Sequence, residues 1–185
     1  MAAAPDWPIA TERLLLRPYE PGDFEALHAI YSSEEVARWL YDDPRDEAQT
    51  RELLVRKIDV SSLAAEGDWL GVAVAERGSA ALVGDVALHW VSEQHRCGEI
   101  GFSFNPAHQG RGYATEAARA LLPFAFETMR WHRLIGRTEA RNTASARVLE
   151  KLGMRLEARL VENEWVKGEW QSELGYALLA SEWRR

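Results

Sequence analysis

The sequence predicts a mixed α/β domain, in which helices pack on the faces of a mostly antiparallel sheet. Strand-like and helix-like segments follow one another in the order β αα βββ α β α ββ, with an antiparallel run in the middle. No repeat, low-complexity tract or linker divides the 185 residues. We therefore expect one domain over residues 1–185, with about seven strands and about four helices.

The first third of the chain supplies one strand and two helices. Residues 1–10 look like a loose N-terminal lead, and a strand follows at about 12–18, where Pro18 ends it. The segment 21–33 has apolar residues at intervals of three and four after helix-start residues, which predicts a helix. A second helical region is expected at about 46–65.

The remaining segments complete the sheet and two further helices. They are predicted, in order, as strands at 69–78, 81–91 and 98–105, a helix from Ala114, a strand at 133–140, a short helix closed by Gly153, and a hairpin at 157–179 that turns near Gly168. The helix from Ala114 has the apolar stripe of a helix packed on a sheet, and Pro123 within it predicts a local kink.

Composition and charge exclude several classes of function. The chain has 22 basic and 29 acidic residues, and its net charge of −7 argues against nucleic acid or anionic lipid as a partner. The N-terminus lacks a basic stretch followed by an apolar run, and no segment is long and apolar enough for a membrane span. Cys97 is the only cysteine, which indicates a cytoplasmic protein, and five scattered histidines give no metal site.

Two glycines mark the start of the helix after the third central strand, in "NPAHQGRGYATEAARALLPFAF". Gly110 and Gly112 leave the backbone bare at a helix N-terminus, where free NH groups bind phosphate. A dinucleotide loop would need glycine or alanine at Thr115, and a nucleoside triphosphate loop would need lysine before serine or threonine. Without further context, a flexible helix entry is the simpler explanation of a lone glycine pair.

The segment "QGRGYA", directly after a strand, resembles the acetyl-CoA pyrophosphate loop of the GNAT N-acetyltransferases. The segments "TERLLLRPYEPGDFEAL", "GEIGFSF" and "ARNTASARVLEKLGM" lie in the matching order and resemble the RimJ/RimL-like branch of that family. The resemblance implies the GNAT fold, in which two parallel strands of the central sheet splay apart. It also implies acetyl-CoA as the donor and a primary amine as the acceptor, and it is compatible with a homodimer.

The resemblance also implies which residues bind acetyl-CoA. Its pantetheine arm would lie between the strands at 99–105 and 133–140, bound by the backbone of Phe102, Ser103 and Phe104, with one NH group facing the thioester carbonyl. Backbone NH groups would hold the pyrophosphate at Gln109, Gly110, Arg111, Gly112, Tyr113, Ala114 and Thr115. The Arg111 side chain would meet another phosphate, or remain a solvated loop charge. Asn142 would touch the pantetheine arm, and it is also a preferred N-cap residue.

Two residues are the candidates for proton transfer. Glu99 precedes the glycine of "EIG" on a strand that would flank the thioester, and we expect it to accept the amine proton; the alternative is a strand residue paired with a neighbouring arginine. By the resemblance, Ser145 would lie near the sulfur of the cofactor. Many GNAT enzymes carry a proton-donating tyrosine where this sequence has Leu149, so Ser145 is the candidate to replace it. Cys97 could carry an acetyl group in two steps, but we expect direct transfer.

The identity of the acceptor is open at this stage. The RimJ/RimL-like branch implies a protein N-terminal α-amine, and a small amine such as an antibiotic or a polyamine is the alternative. The helices at about 23–65 and the last hairpin are expected to build its pocket, where Trp165 and Trp170 could line the site, pack, or contact a second subunit. A different class of function also stays open, namely an acyl-CoA-binding sensor without turnover.

Overall fold

An eight-stranded sheet forms the centre of the computed structural model, which describes residues 2–183. Its strands are β1 Ile9–Ala10, β2 Leu14–Arg17, β3 Trp69–Glu76, β4 Leu82–Ser92, β5 Cys97–Phe104, β6 Arg133–Glu139, β7 Arg155–Val166 and β8 Glu169–Leu179. They lie in the order β1-β2-β3-β4-β5-β6-β8-β7, and only β5 and β6 are parallel neighbours. The mixed, mostly antiparallel sheet is confirmed, and the two-residue β1 accounts for the additional strand.

Six helices are described, where the sequence predicted about four. They are α1 Phe24–Tyr31, α2 Glu34–Ala37, α3 Glu47–Asp59, α4 Tyr113–Pro123, α5 Thr143–Lys151 and α6 Ala180–Trp183. The additional α2 and α6 have four residues each, too few for a helical repeat of apolar residues to show in the sequence. Within residues 2–183, no helix is long and apolar enough to cross a membrane.

Two predictions about the N-terminal half need correction. The stretch 1–10 is held in place rather than loose in its described part: Ala3 exchanges two backbone hydrogen bonds of 2.8 Å with Leu63, and Ile9–Ala10 pairs with β2. Residue 1 lies outside the described range. The second helical region ends at Asp59 instead of residue 65, because Leu63 is drawn into the pairing with Ala3.

The helices cover both faces of the sheet. On one face α4 and α5 pack over the larger hydrophobic core, and Leu149 of α5 contacts the backbone of β6. On the other face α1 and α3 enclose a smaller core in which Leu27, Ile30 and Leu54 are buried. At Pro123 the regular α4 ends, and the chain continues as a π-helical turn at Phe124–Thr128, which is the local irregularity that the proline predicts.

The parallel strands β5 and β6 form a fork. They pair only at Cys97–Glu99 with Arg133–Ile135, whereas β5 continues to Phe104 and β6 to Glu139 without pairing with each other. The closed end is fixed by Trp131, whose ring lies so close to Gly98 that a Cβ there would be 2.1 Å from it. This splayed parallel pair confirms the expectation drawn from the family resemblance.

Candidate active site

The loop at the open end of the fork leaves its backbone free. Gly110 and Gly112 have φ angles of 72° and 81°, in the left-handed region that glycine tolerates best. Gly112 is the N-cap of α4 and supplies no capping side chain, so the first NH groups of this helix lack a side-chain acceptor. Arg111 is exposed and Ala114 is half-buried. The arrangement is suited to an anion that binds to backbone NH groups.

Other side chains of the loop turn inward. The Gln109 amide donates a 3.0 Å hydrogen bond to the carbonyl of Phe104, which joins the loop to the end of β5. The Tyr113 hydroxyl donates at 2.7 Å to Glu76 on β3, and Thr115 is buried. Because these groups are used inside the protein, the outward surface of the loop consists mainly of backbone and Arg111.

Arg13 anchors the loop, a role that its sequence context did not reveal. Its Nη1 donates a 2.9 Å hydrogen bond to the carbonyl of Arg111, and its Nε donates at 2.7 Å to Glu116 in the first turn of α4. Glu116 also accepts a 2.6 Å bond from the hydroxyl of Thr11. Burial alone would raise the pKa of Glu116, but the bonds from Thr11 and Arg13 lower it, so this carboxylate is charged and neutralised by Arg13.

The edge of β5 that faces the fork leaves further backbone groups free. Phe102, Ser103 and Phe104 pair with β4 on one side, so alternate backbone groups point into the fork on the other. The Phe104 ring lies over Gly84, which leaves its backbone as the part available to a ligand. An extended molecule with amide groups and a terminal pyrophosphate fits this combination of strand edge and bare loop.

Asn142 and Ser145 lie at the start of α5, beside the end of β6. The Asn142 side chain accepts a 3.1 Å hydrogen bond from the Ser145 backbone, so Asn142 caps the helix. The Ser145 side chain is half-buried, and within the described residues its hydroxyl makes no hydrogen bond to protein. Capping is therefore observed for Asn142, while its contact with pantetheine and the proton transfer by Ser145 stay predictions.

Leu149 explains why the common family tyrosine is missing from α5. This leucine is 1% exposed and packs on Gly136, where an added Cβ would lie 2.5 Å from it. The position faces the hydrophobic core, and a tyrosine hydroxyl there would need a polar partner or a shift of the helix. Leu149 therefore serves in core packing at this position.

Glu99 lies at the last paired residue of the fork and is bound by an arginine. Arg137 donates from Nε and Nη2 to the two carboxylate oxygens of Glu99, both at 3.0 Å. The Nδ1 atom of His89 lies 3.9 Å from the same carboxylate, and the His89 ring stacks on Trp69 at 4.1 Å between centroids. The pairing with an arginine, which the sequence offered as the alternative, is therefore present. Glu99 can act as a base only if Arg137 moves away from it or if a water carries the proton to it.

The charged side chains share the sheet face that carries α1 and α3. Lys57 of α3 lies over Gly71, and residues two apart on a strand point to the same face, so Trp69 belongs to it as well. Trp69 lies opposite His89, and His89 lies opposite Glu99. These charged side chains thus lie on the face of the fork opposite α4 and α5.

Three residues of this face are not predicted from the sequence, because the fold brings them together from distant segments. Glu173 of β8 is 8% exposed and lies 3.9 Å from Nη1 of Arg137. Glu164 of β7 accepts hydrogen bonds of 2.8 and 3.0 Å from the Tyr41 hydroxyl. Burial and this hydrogen bond raise the pKa of Tyr41 to about 12, so it remains protonated and a donor. No local motif marks any of the three residues.

Cys97 lies two residues before Glu99 on β5, and the two hairpin tryptophans form a pair near the turn of β7 and β8. Burial raises the pKa of the Cys97 thiol, which keeps it protonated near neutral pH and makes it a poor nucleophile. Trp165 and Trp170 pack edge to face at 5.4 Å between centroids, and both are more than half exposed. They contact each other at the hairpin surface, so the packing alternative is observed for this pair.

Comparison with known proteins identifies the family. A profile of the acetyltransferase (GNAT) domain matches residues 13–155. An uncharacterized N-acetyltransferase of Bacillus subtilis, YnaD, is 32% identical over 95% of this chain and 98% of its own length. A GNAT-family acetyltransferase structure from Bacillus anthracis has a TM-score of 0.84 at 35% identity and covers 94% of this chain and 99% of that one.

A further relative has a defined small acceptor in its name. The spermidine N(1)-acetyltransferase of Vibrio cholerae is 25% identical over 92% of this chain and 95% of its own length. With the forked sheet, the bare loop and these matches, the chain belongs to the GNAT family of N-acetyltransferases, with acetyl-CoA as the acetyl donor.

Proposed function

We propose that the protein acetylates a primary amine by direct attack in a ternary complex. The observation that carries this proposal is the fork of β5 and β6, which ends in the bare loop and opens beside Glu99. Acetyl-CoA supplies an acetyl group activated as a thioester; a C–N bond forms as the C–S bond breaks. The loop backbone from Gln109 to Thr115 and Arg111 would hold the phosphates, and the backbone of Phe102 to Phe104 would hold the pantetheine arm.

Two side chains are proposed to move the protons. Glu99 takes the proton that the amine loses, through a water or after Arg137 shifts, and Ser145 gives a proton to the departing sulfur. The unengaged Ser145 hydroxyl at the start of α5 supports this role. A donor is helpful rather than essential, since a thiol has a pKa of about 8.5 and its thiolate is a tolerable leaving group.

The natural acceptor falls into one of two classes. The RimJ/RimL-like segments favour a protein N-terminal α-amine, whose pKa of about 8 leaves about a tenth of it neutral and reactive at pH 7. The likeness to a spermidine acetyltransferase favours a small polyamine instead. Both classes use the same cofactor site and differ in what must fit beside Glu99.

Thiol release from acetyl-CoA tests the proposal directly. We expect release that depends on a primary amine in a panel of short peptides, diamines, aminoglycosides and amino acids. Glu99→Gln should shift or remove the pH dependence of kcat/KM, and Ser145→Ala should lower kcat. Coenzyme A that raises the melting temperature without any amine-dependent turnover would contradict the enzyme and favour an acyl-CoA sensor.

Location and assembly stay predictions from the sequence. We propose a cytoplasmic protein, on the basis of its single cysteine, and a homodimer, on the basis of the family resemblance. Sedimentation at micromolar concentration decides the second point.

A further inference from the structure

Glu173 is a buried carboxylate without a hydrogen-bond donor. Its side chain is about nine-tenths buried, and no hydrogen bond to it occurs within residues 2–183. Its nearest cation, Nη1 of Arg137, is 3.9 Å away, because that guanidinium directs Nε and Nη2 to Glu99. A buried carboxylate without a close partner is costly, so this position is expected to have a cationic partner that binds from outside the chain.

The surroundings of Glu173 favour a positive ligand. Glu164 lies opposite Gln171, two residues from Glu173 on β8, which places both carboxylates on one face of the hairpin. Burial raises the pKa of Glu173, Arg137 offsets only part of the effect, and the negative charges of Glu164 and Glu99 add to it. Glu99 and Glu173 share the guanidinium of Arg137, and Glu164 lies on the same face, so an ammonium group would reduce the excess of negative charge.

Contacts between residues 37–46 and the β7–β8 hairpin narrow the approach to Glu173. The Tyr41 hydroxyl, in the segment 38–46 between α2 and α3, donates to Glu164 of the β7–β8 hairpin. Lys167 at the hairpin turn donates a 2.6 Å hydrogen bond to the carbonyl of Ala37 and lies 3.9 Å from Asp43. Because these links join residues 37–46 to the hairpin, a bulky acceptor would have to break them, which favours a slender one.

We propose that the acceptor is a slender aliphatic amine with a second ammonium group, and that Glu173 binds this second group while the first amine is acetylated. This inference rests on the proposed acetyl transfer and selects the small-amine class of acceptor. Glu99, at the closed end of the fork, lies beside the reacting amine, and Glu173 lies across β6 from it. Arg137 lies between the two carboxylates, 3.0 Å from Glu99 and 3.9 Å from Glu173.

A matched pair of acceptors tests the inference. For the wild-type protein we expect kcat/KM for 1,4-diaminobutane to exceed that for 1-aminobutane at least tenfold, and to exceed that for a short peptide with a free α-amine. Glu173→Gln, which keeps the size of the side chain, should bring the diamine-to-monoamine ratio close to one. Glu169→Gln, on the same strand but exposed and paired with Arg141, should keep the wild-type ratio.

Binding gives a readout that does not need turnover. Excess 1,4-diaminobutane should raise the melting temperature of the wild type and of the Glu169→Gln variant, but not that of Glu173→Gln. Equal loss of activity toward diamine and monoamine in Glu173→Gln would overturn the subsite, as would a wild type that prefers the peptide. Absence of turnover with every amine would overturn the proposed function instead. The shift of the melting temperature with diamine would still decide whether the subsite exists.

Discussion

The loop at 109–115 and the charged face around Glu99 build the two halves of the site in opposite ways. At the loop, side chains turn into the protein and the backbone is left outward, as with Tyr113, which bonds to Glu76. On the charged face the backbone is used in strand pairing, and the chemistry depends on side chains such as Arg137 and Glu173. A cofactor shared by a family can be bound by backbone, whereas selection of an acceptor requires side chains that differ between members.

The largest effect should come from adding a Cβ to the backbone-built half. We expect Gly112→Ala to raise KM for acetyl-CoA at least tenfold, because the NH groups at the start of α4 would be displaced from their positive-φ geometry. The strain should also lower the free energy of unfolding by about 1–2 kcal/mol.

Gly168→Ala is the matched control for this variant. Gly168 has a φ of 84° at the turn of the β7–β8 hairpin, so the strain is similar but the cofactor loop is untouched. It should lose comparable stability in chemical denaturation and keep KM for acetyl-CoA. An equal rise of KM in both variants would show that the effect of Gly112→Ala is general destabilisation.

Removal of Arg13, which neutralises Glu116 beside the loop, should have the next largest effect. Arg13→Ala leaves Glu116 as an unpaired negative charge beside the pyrophosphate loop, and we expect the dissociation constant of coenzyme A to rise about tenfold, or ~1.4 kcal/mol. Arg13→Ala combined with Glu116→Gln should recover part of this loss by removing the repulsion. Calorimetric titration measures both. A double variant no better than Arg13→Ala would assign Arg13 a purely structural role, through its bond to the Arg111 carbonyl.

The sequence predicts the loop that is built from backbone better than the face that is built from side chains. Gly110 and Gly112 lie next to the helix that they open, so a local motif revealed the loop. The pairing of Arg137 with Glu99 joins residues 38 positions apart, and Tyr41 reaches Glu164 across 123 positions. Such contacts depend on strand order and register, which periodicity in a single sequence does not determine. The strands and longer helices were predicted because their apolar repeats are local, and the four-residue α2 was missed because it is too short to repeat.

A smaller effect is expected on the free energy of unfolding, which should depend on pH through Glu173. Because the pKa of Glu173 is raised in the folded state, its contribution favours folding at low pH and is lost as pH rises through the folded-state pKa. Glu173→Gln should therefore match the wild type near pH 4 and be more stable by about 1 kcal/mol at pH 7, since the variant removes a buried, poorly partnered charge. Urea denaturation at the two pH values measures this. A variant that is less stable than the wild type at pH 7 would mean that Glu173 is satisfied within the protein.

The smallest effect should come from Cys97, which lies at the start of β5, two residues before Glu99. Because burial raises the pKa of its thiol, we expect Cys97→Ala to keep kcat within about twofold, as direct transfer requires. Steady-state kinetics in both substrates provides the measurement. Parallel double-reciprocal lines in the wild type, together with an inactive Cys97→Ala variant, would indicate an acetylated intermediate instead.

The fork also predicts that bound coenzyme affects how often the central sheet opens. Beyond Glu99, the facing edges of β5 and β6 have backbone groups that no strand in the described chain pairs, in the middle of the sheet. Coenzyme bound there would complete the sheet and lower the population of open forms that proteases cut. We therefore expect the half-life of the protein in cells to lengthen when coenzyme A is abundant and to shorten under pantothenate starvation.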